Sequence, residues 1–70
     1  MDTILLKNTP VIVNTGKRRF IGYIIGHNYI RKNLYYMVLD QSKLDRIENP
    51  TIKDHQNSQV LVYSENVKKI

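Results

Sequence analysis

Apolar residues in this chain fall in short, β-branched runs separated by polar turns. Val11-Ile12-Val13 follows Pro10 and predicts a strand that starts at a proline. Gly16 with Lys17-Arg18-Arg19 predicts a hairpin turn. Phe20 to Gly26 is strand-like but carries Gly22 and Gly26 on one side of a period-2 strand, which marks a bulge, a bend or a close backbone approach. A polar turn over Asn28 to Asn33 leads into Leu34-Tyr35-Tyr36-Met37-Val38-Leu39, the clearest strand, and Asp40 ends it.

Gln41 to Ser58 is polar and holds the turn signal Asn49-Pro50. At eighteen residues it is long for a hairpin loop. Within it, Ser42 can cap a single helical turn through Leu44 and Ile47. Gln59 to Tyr63 is the next strand. Ser64-Glu65-Asn66 reads as a tight 3₁₀ turn before a short strand over Val67 to Ile70. No helical periodicity of useful length is present. The pattern predicts a single all-β domain over residues 1–70, a small antiparallel barrel of about five strands with a long polar loop at 41–58.

The strands are apolar on both sides. Phe20 and Ile24 alternate with Ile21, Tyr23 and Ile25. Leu34, Tyr36 and Val38 alternate with Tyr35, Met37 and Leu39, and Val60 and Val62 with Leu61 and Tyr63. One apolar face per strand suffices for a lone antiparallel barrel. The second face therefore predicts cover: the 41–58 segment, another copy of the chain, or a foreign partner. Tyr23, Tyr29, Tyr35, Leu61 and Tyr63 are the candidate residues of such a partner or oligomer face.

Seventy residues make one domain, whose folding buries only about 60% of the surface of its unfolded chain. With no cysteine there is no disulfide framework, and His27 and His55 share no short ligand spacing, so neither metal nor cofactor is implied. The longest apolar run, Leu34 to Leu39, is too short to span a bilayer, and Met1-Asp2-Thr3 does not open a leader peptide. The expected location is cytoplasmic, without membrane attachment.

The formal charge is +5, and the segment from Gln41 to Ser58 is neutral in itself. The net charge therefore lies elsewhere. Lys17, Arg18 and Arg19 form one basic turn, and Arg31 with Lys32 forms another. Either can meet phosphates or an acidic protein surface, and the interleaved tyrosines can stack on bases. The plainer roles are solvated charge and core packing. Thr15-Gly16-Lys17 lacks the upstream glycine and following hydroxyl of a phosphate-binding loop. No serine has a histidine at a telling distance, so a nucleophilic triad is unsupported.

The order of a first strand, a bent glycine-containing strand, a third strand and then Val60-Leu61-Val62-Tyr63-Ser64-Glu65-Asn66-Val67-Lys68-Lys69-Ile70 resembles the SH3-like barrel superfamily. Within it, Gly16 through Gly26 and Val60 to Tyr63 are similar to plasmid-encoded type II dihydrofolate reductase, a homotetramer around a pore. That resemblance aligns Tyr63 with the family's tyrosine and Val62 with its isoleucine. It puts Leu61 at its ligand-binding glutamine and Val13 near its ligand-attracting lysine. The fold and the self-association follow from the resemblance better than the activity does. Two functions from different classes are expected: a small basic non-catalytic module binding nucleic acid or an acidic protein, in the manner of a phage or plasmid accessory protein, or a homo-oligomeric oxidoreductase.

Overall fold

The computed structural model describes residues 4–70. The Met1-Asp2-Thr3 opening, on which the expectation of a leader-free start rests, lies outside them. Five strands form one antiparallel sheet: β1 (Pro10–Asn14), β2 (Arg19–Ile30), β3 (Asn33–Asp40), β4 (Gln59–Tyr63) and β5 (Val67–Lys69). Their order is β4-β3-β2-β1-β5. Both edge strands, β4 and β5, are joined by the three-residue 3₁₀ turn Ser64–Asn66. Val62 of β4 and Val67 of β5 also pack into one core with Val11, Val13, Phe20, Ile24, Tyr36 and Val38. Strands at opposite ends of the ladder thus share a core, so the sheet is curled upon itself. The all-β class, the strand number and the C-terminal 3₁₀ turn agree with the sequence pattern.

The core face follows the period of the strands. Val11 and Val13 alternate with Pro10, Ile12 and Asn14, and Tyr36 and Val38 with Tyr35, Met37 and Leu39. On β2 the alternation is broken. Ile24 pairs with Val38 but Gly26 with Met37, which leaves Ile25 as the extra residue of a β-bulge. Gly22 is a close approach: a Cβ there would fall on the carbonyl oxygen of Leu39 and lie 2.9 Å from Val38 Cγ1. Gly26, beside the bulge, faces open space.

Two local expectations need correction. The second strand does not stop at Gly26, and the polar turn does not span Asn28 to Asn33. β2 runs on to Ile30, which pairs with Asn33, so Arg31-Lys32 alone makes the turn. Both residues have positive φ, 51° and 70°, the two-residue geometry that suits right-twisted strands but usually selects Asn-Gly. The 41–58 segment, moreover, is not a plain loop. It holds two short helices, α1 (Gln41–Leu44) and α2 (Ile52–Asn57). Asp40, not Ser42, caps α1, accepting from the Lys43 N–H at 3.0 Å. Thr51 and Asp54 cap α2 reciprocally, each side chain accepting from the other's backbone N–H.

Candidate nucleic-acid interface

The β1–β2 turn and α1 meet because two polar groups bridge them. Ser42 Oγ accepts from the Ile21 N–H at 3.2 Å, which pins α1 to the start of β2. Asp40 accepts from Arg18 Nη2, which ties the turn to the end of β3. Between them lies a concavity of about 430 Å³ lined by Arg18, Arg19, Lys43 and Arg46, with Phe20, Asp40 and Ser42. Four cations and one carboxylate converge there.

The carboxylate is already committed. The Asp40 side chain is only 2% exposed and holds both Arg18 and the α1 cap. Among the described residues this is the one ion pair. The Arg18 guanidinium also lies 4.8 Å from the Phe20 ring centre, while half of its side chain remains in solvent. Lys43 Nζ donates to the Asn57 carbonyl at 3.1 Å, which orients its charge. Arg19 and Arg46 are exposed. Arg18 is paired with Asp40, and the other three cations make no ion pair among the described residues.

Lys43 and Arg46 were not read as site residues from the sequence. Counted linearly, they belong to a neutral segment. The fold separates that segment, placing Lys43 of α1 and Arg46 just after it beside Arg18 and Arg19. One signal pointed there: from Thr3 to Leu39 the chain has six Lys or Arg and no Asp or Glu, so Asp40 is the first carboxylate after the basic turn.

Arg31 and Lys32 lie elsewhere. They follow the far end of the twelve-residue β2 from Arg19 and make the β2–β3 turn, so the two basic turns stand at opposite ends of that strand.

The register sorts the apolar candidates. Tyr23 pairs with Leu39, Met37 with Leu61 and Tyr35 with Tyr63, so Tyr23, Tyr35, Leu61 and Tyr63 share the outer face. The Tyr35 and Tyr63 rings lie 5.4 Å apart. Ile21, Tyr23 and Leu61 are exposed on this face, Leu61 by 47%. Of the apolar residues in the 41–58 segment, Leu44 is buried outside the core cluster and Ile47 is half-buried, whereas Ile52 is 80% exposed. Tyr29 is not on this face. The bulge at Ile25 shifts the alternation, and Tyr29 stands opposite Leu34 on the inner side. Its ring is edge-on to His27, centre to centre 6.2 Å.

No helix among the described residues is long and apolar enough to cross a membrane. No protein family matches the chain, nor does any curated protein or solved structure.

Proposed function

We propose that this chain is a small non-catalytic module that binds nucleic acid through phosphate contacts in the basic concavity. The observation that carries this reading is the convergence of Arg18, Arg19, Lys43 and Arg46 around a single carboxylate that is already paired. Such a surface binds polyanions and releases counterions as it does so. A solvated charge pattern serving only solubility would have no need to gather cations from two distant segments into one concavity. An acidic protein surface is the competing partner, and duplex or single-stranded oligonucleotides against a polyglutamate control distinguish the two by affinity and salt dependence.

Kinship with the SH3-like superfamily is part of the same proposal and rests on the strand order and the 3₁₀ turn. The oxidoreductase reading is weaker, because the resemblance itself puts Leu61 at the position of the ligand-binding glutamine. Cytoplasmic location and a phage or plasmid origin fit a basic, cysteine-free chain and stay within the proposal.

A second copy of the chain is the proposed cover for the outer face. Ile21, Tyr23, Leu39, Met37, Leu61, Tyr35 and Tyr63 make that face apolar, in contrast to the basic concavity. Two chains of net charge +5 can approach only through a surface that carries little of it. Light scattering at micromolar concentration is expected to show a dimer, and Leu61→Asp to disperse it with little change in monomer stability. A wild-type monomer at every concentration would rule this contact out.

A further inference from the structure

We infer that the tip of the β2–β3 hairpin is a base-stacking site for single-stranded nucleic acid, with Tyr29 as the platform. This rests on the nucleic-acid reading and assigns it a second, chemically different contact. Four observations converge on the tip.

Tyr29 is 57% exposed although it lies on the inner side of the sheet, where Phe20 and Tyr36 are buried. It is there because the extra residue Ile25 turns it away from the face of Tyr23. Its ring stands at 88° to that of His27, 6.2 Å between centres. An exposed, buttressed ring suits stacking, which tolerates any base because every base has a π-face.

Beside it is a cavity. Leu34, the cross-strand partner of Tyr29, is one wall of a concavity of about 450 Å³, whose other apolar walls are Leu5, Tyr36 and Val67. The Leu5 N–H donates to Tyr36 Oη at 2.9 Å and fixes the N-terminal segment as a wall. Ser64, Glu65 and Lys69 supply a polar rim. The volume is within the range of small-ligand pockets, and an apolar floor with a polar rim matches the face and edge of a base.

The turn itself carries the third observation. Arg31 and Lys32 both adopt positive φ, where a Gly or Asn is far less strained. Two long cations hold positions that the fold alone would fill better with Asn-Gly. Their place next to the stacking ring puts them within reach of the phosphates on either side of a stacked base. Finally, β4 ends at Tyr63, opposite Tyr35, so among the described residues no third strand pairs with the rungs Tyr29–Leu34 and Ile30–Asn33. The tip is open to a ligand.

The geometry allows binding and folding to be separated. Arg31→Asn/Lys32→Gly relieves the turn, so it is expected to raise the melting temperature while weakening binding of a fluorescein-labelled single-stranded oligonucleotide several-fold. Tyr29→Ala should weaken it about tenfold, and Tyr29→Phe should bind like the parent. The chain has no tryptophan, so Tyr29→Trp introduces a single indole whose emission should be quenched by the single strand and not by the matching duplex. Parent-like single-strand affinity in both Tyr29→Ala and Arg31→Asn/Lys32→Gly would overturn the tip site. If Arg19→Ala/Arg46→Ala still abolishes binding in that case, the concavity reading survives alone. Unquenched indole emission with bound single strand, or quenching by duplex alone, would also overturn the stacking site. No binding by the parent protein at low salt would overturn both readings.

Discussion

Arg18 of the β1–β2 turn donates to the buried carboxylate of Asp40 at the end of β3, and this bond joins the basic concavity to the core. The same carboxylate receives the Lys43 N–H and so starts α1. Asp40 therefore sets the position of three of the four cations: Arg18 directly, and Lys43 and Arg46 through the helix that it caps. It also cancels one of their charges.

That double role gives an unusual expectation for Asp40→Asn. The amide oxygen keeps the cap, but the amide nitrogen then stands where Oδ2 accepted from Arg18, so the ion pair and its hydrogen bond are lost, at a cost of about 1–2 kcal/mol. For a chain of this size the melting temperature should fall by roughly 5–15 °C. Affinity for a polyanion should nevertheless rise, because Arg18 is released and the concavity gains a positive charge. A variant that melts lower and also binds more weakly would show that Asp40 orders the site rather than restraining its charge.

The two strand glycines are predicted to differ sharply. Gly22→Ala drives a Cβ into the Leu39 backbone, which cannot yield without separating β2 from β3, so it should cost about 3 kcal/mol or more. Gly26→Ala meets open space and should stay within about 0.5 kcal/mol of the parent. Thermal melts of the two variants decide this, and similar losses would contradict the register at the bulge.

Asp54 provides a pH-dependent expectation confined to α2. Its pKa is lowered from 3.8, first by the Thr51 backbone N–H and then by the Thr51 side chain, both of which bond the ionised carboxylate. A lowered folded-state pKa means that the contribution is present above the unfolded value and is lost as the pH falls through the folded one. The α2 amide resonances should therefore move below about pH 4 in the parent, with the Asp54 carboxyl carbon titrating lower than in an unfolded peptide. In Thr51→Ala the side-chain bond is lost and the backbone N–H is kept, so that carboxyl should titrate higher than in the parent but still below its ordinary value. Unchanged titration would show that the reciprocal cap does not hold the carboxylate in solution.

The strands were legible because each is a short run with period-2 alternation and a clear punctuating residue: Pro10, Gly16, Asp40 and the Ser64-Glu65-Asn66 turn. The length of β2 was not. Its turn uses Arg31 and Lys32 at positive φ, and neither residue signals a tight turn. Half of the candidate site was legible for a related reason. Lys17, Arg18 and Arg19 stand out as a local run, whereas Lys43 and Arg46 join them only through the Arg18–Asp40 and Ile21–Ser42 bonds, each spanning more than twenty residues. A linear count of charge over 41–58 could not reveal that its cations face the turn. The place of Tyr29 was equally hidden, since a strict alternation from Tyr23 sets both on one face and only the bulge at Ile25 separates them.

The salt dependence of oligonucleotide binding tests the central claim most directly. Each phosphate contact to a single strand contributes about 0.7 to the slope of log affinity against log salt. Arg19→Ala/Arg46→Ala removes two cations drawn from the β1–β2 turn and from the segment after α1, so the slope should become shallower by about 1.4. Lys53→Ala, in α2 and outside both basic clusters, should leave it almost unchanged. That outcome would place Arg46 with Arg19 in one phosphate-binding concavity. Equal slopes in the double variant, Lys53→Ala and the parent would contradict it and return the charge to a diffuse role in solubility.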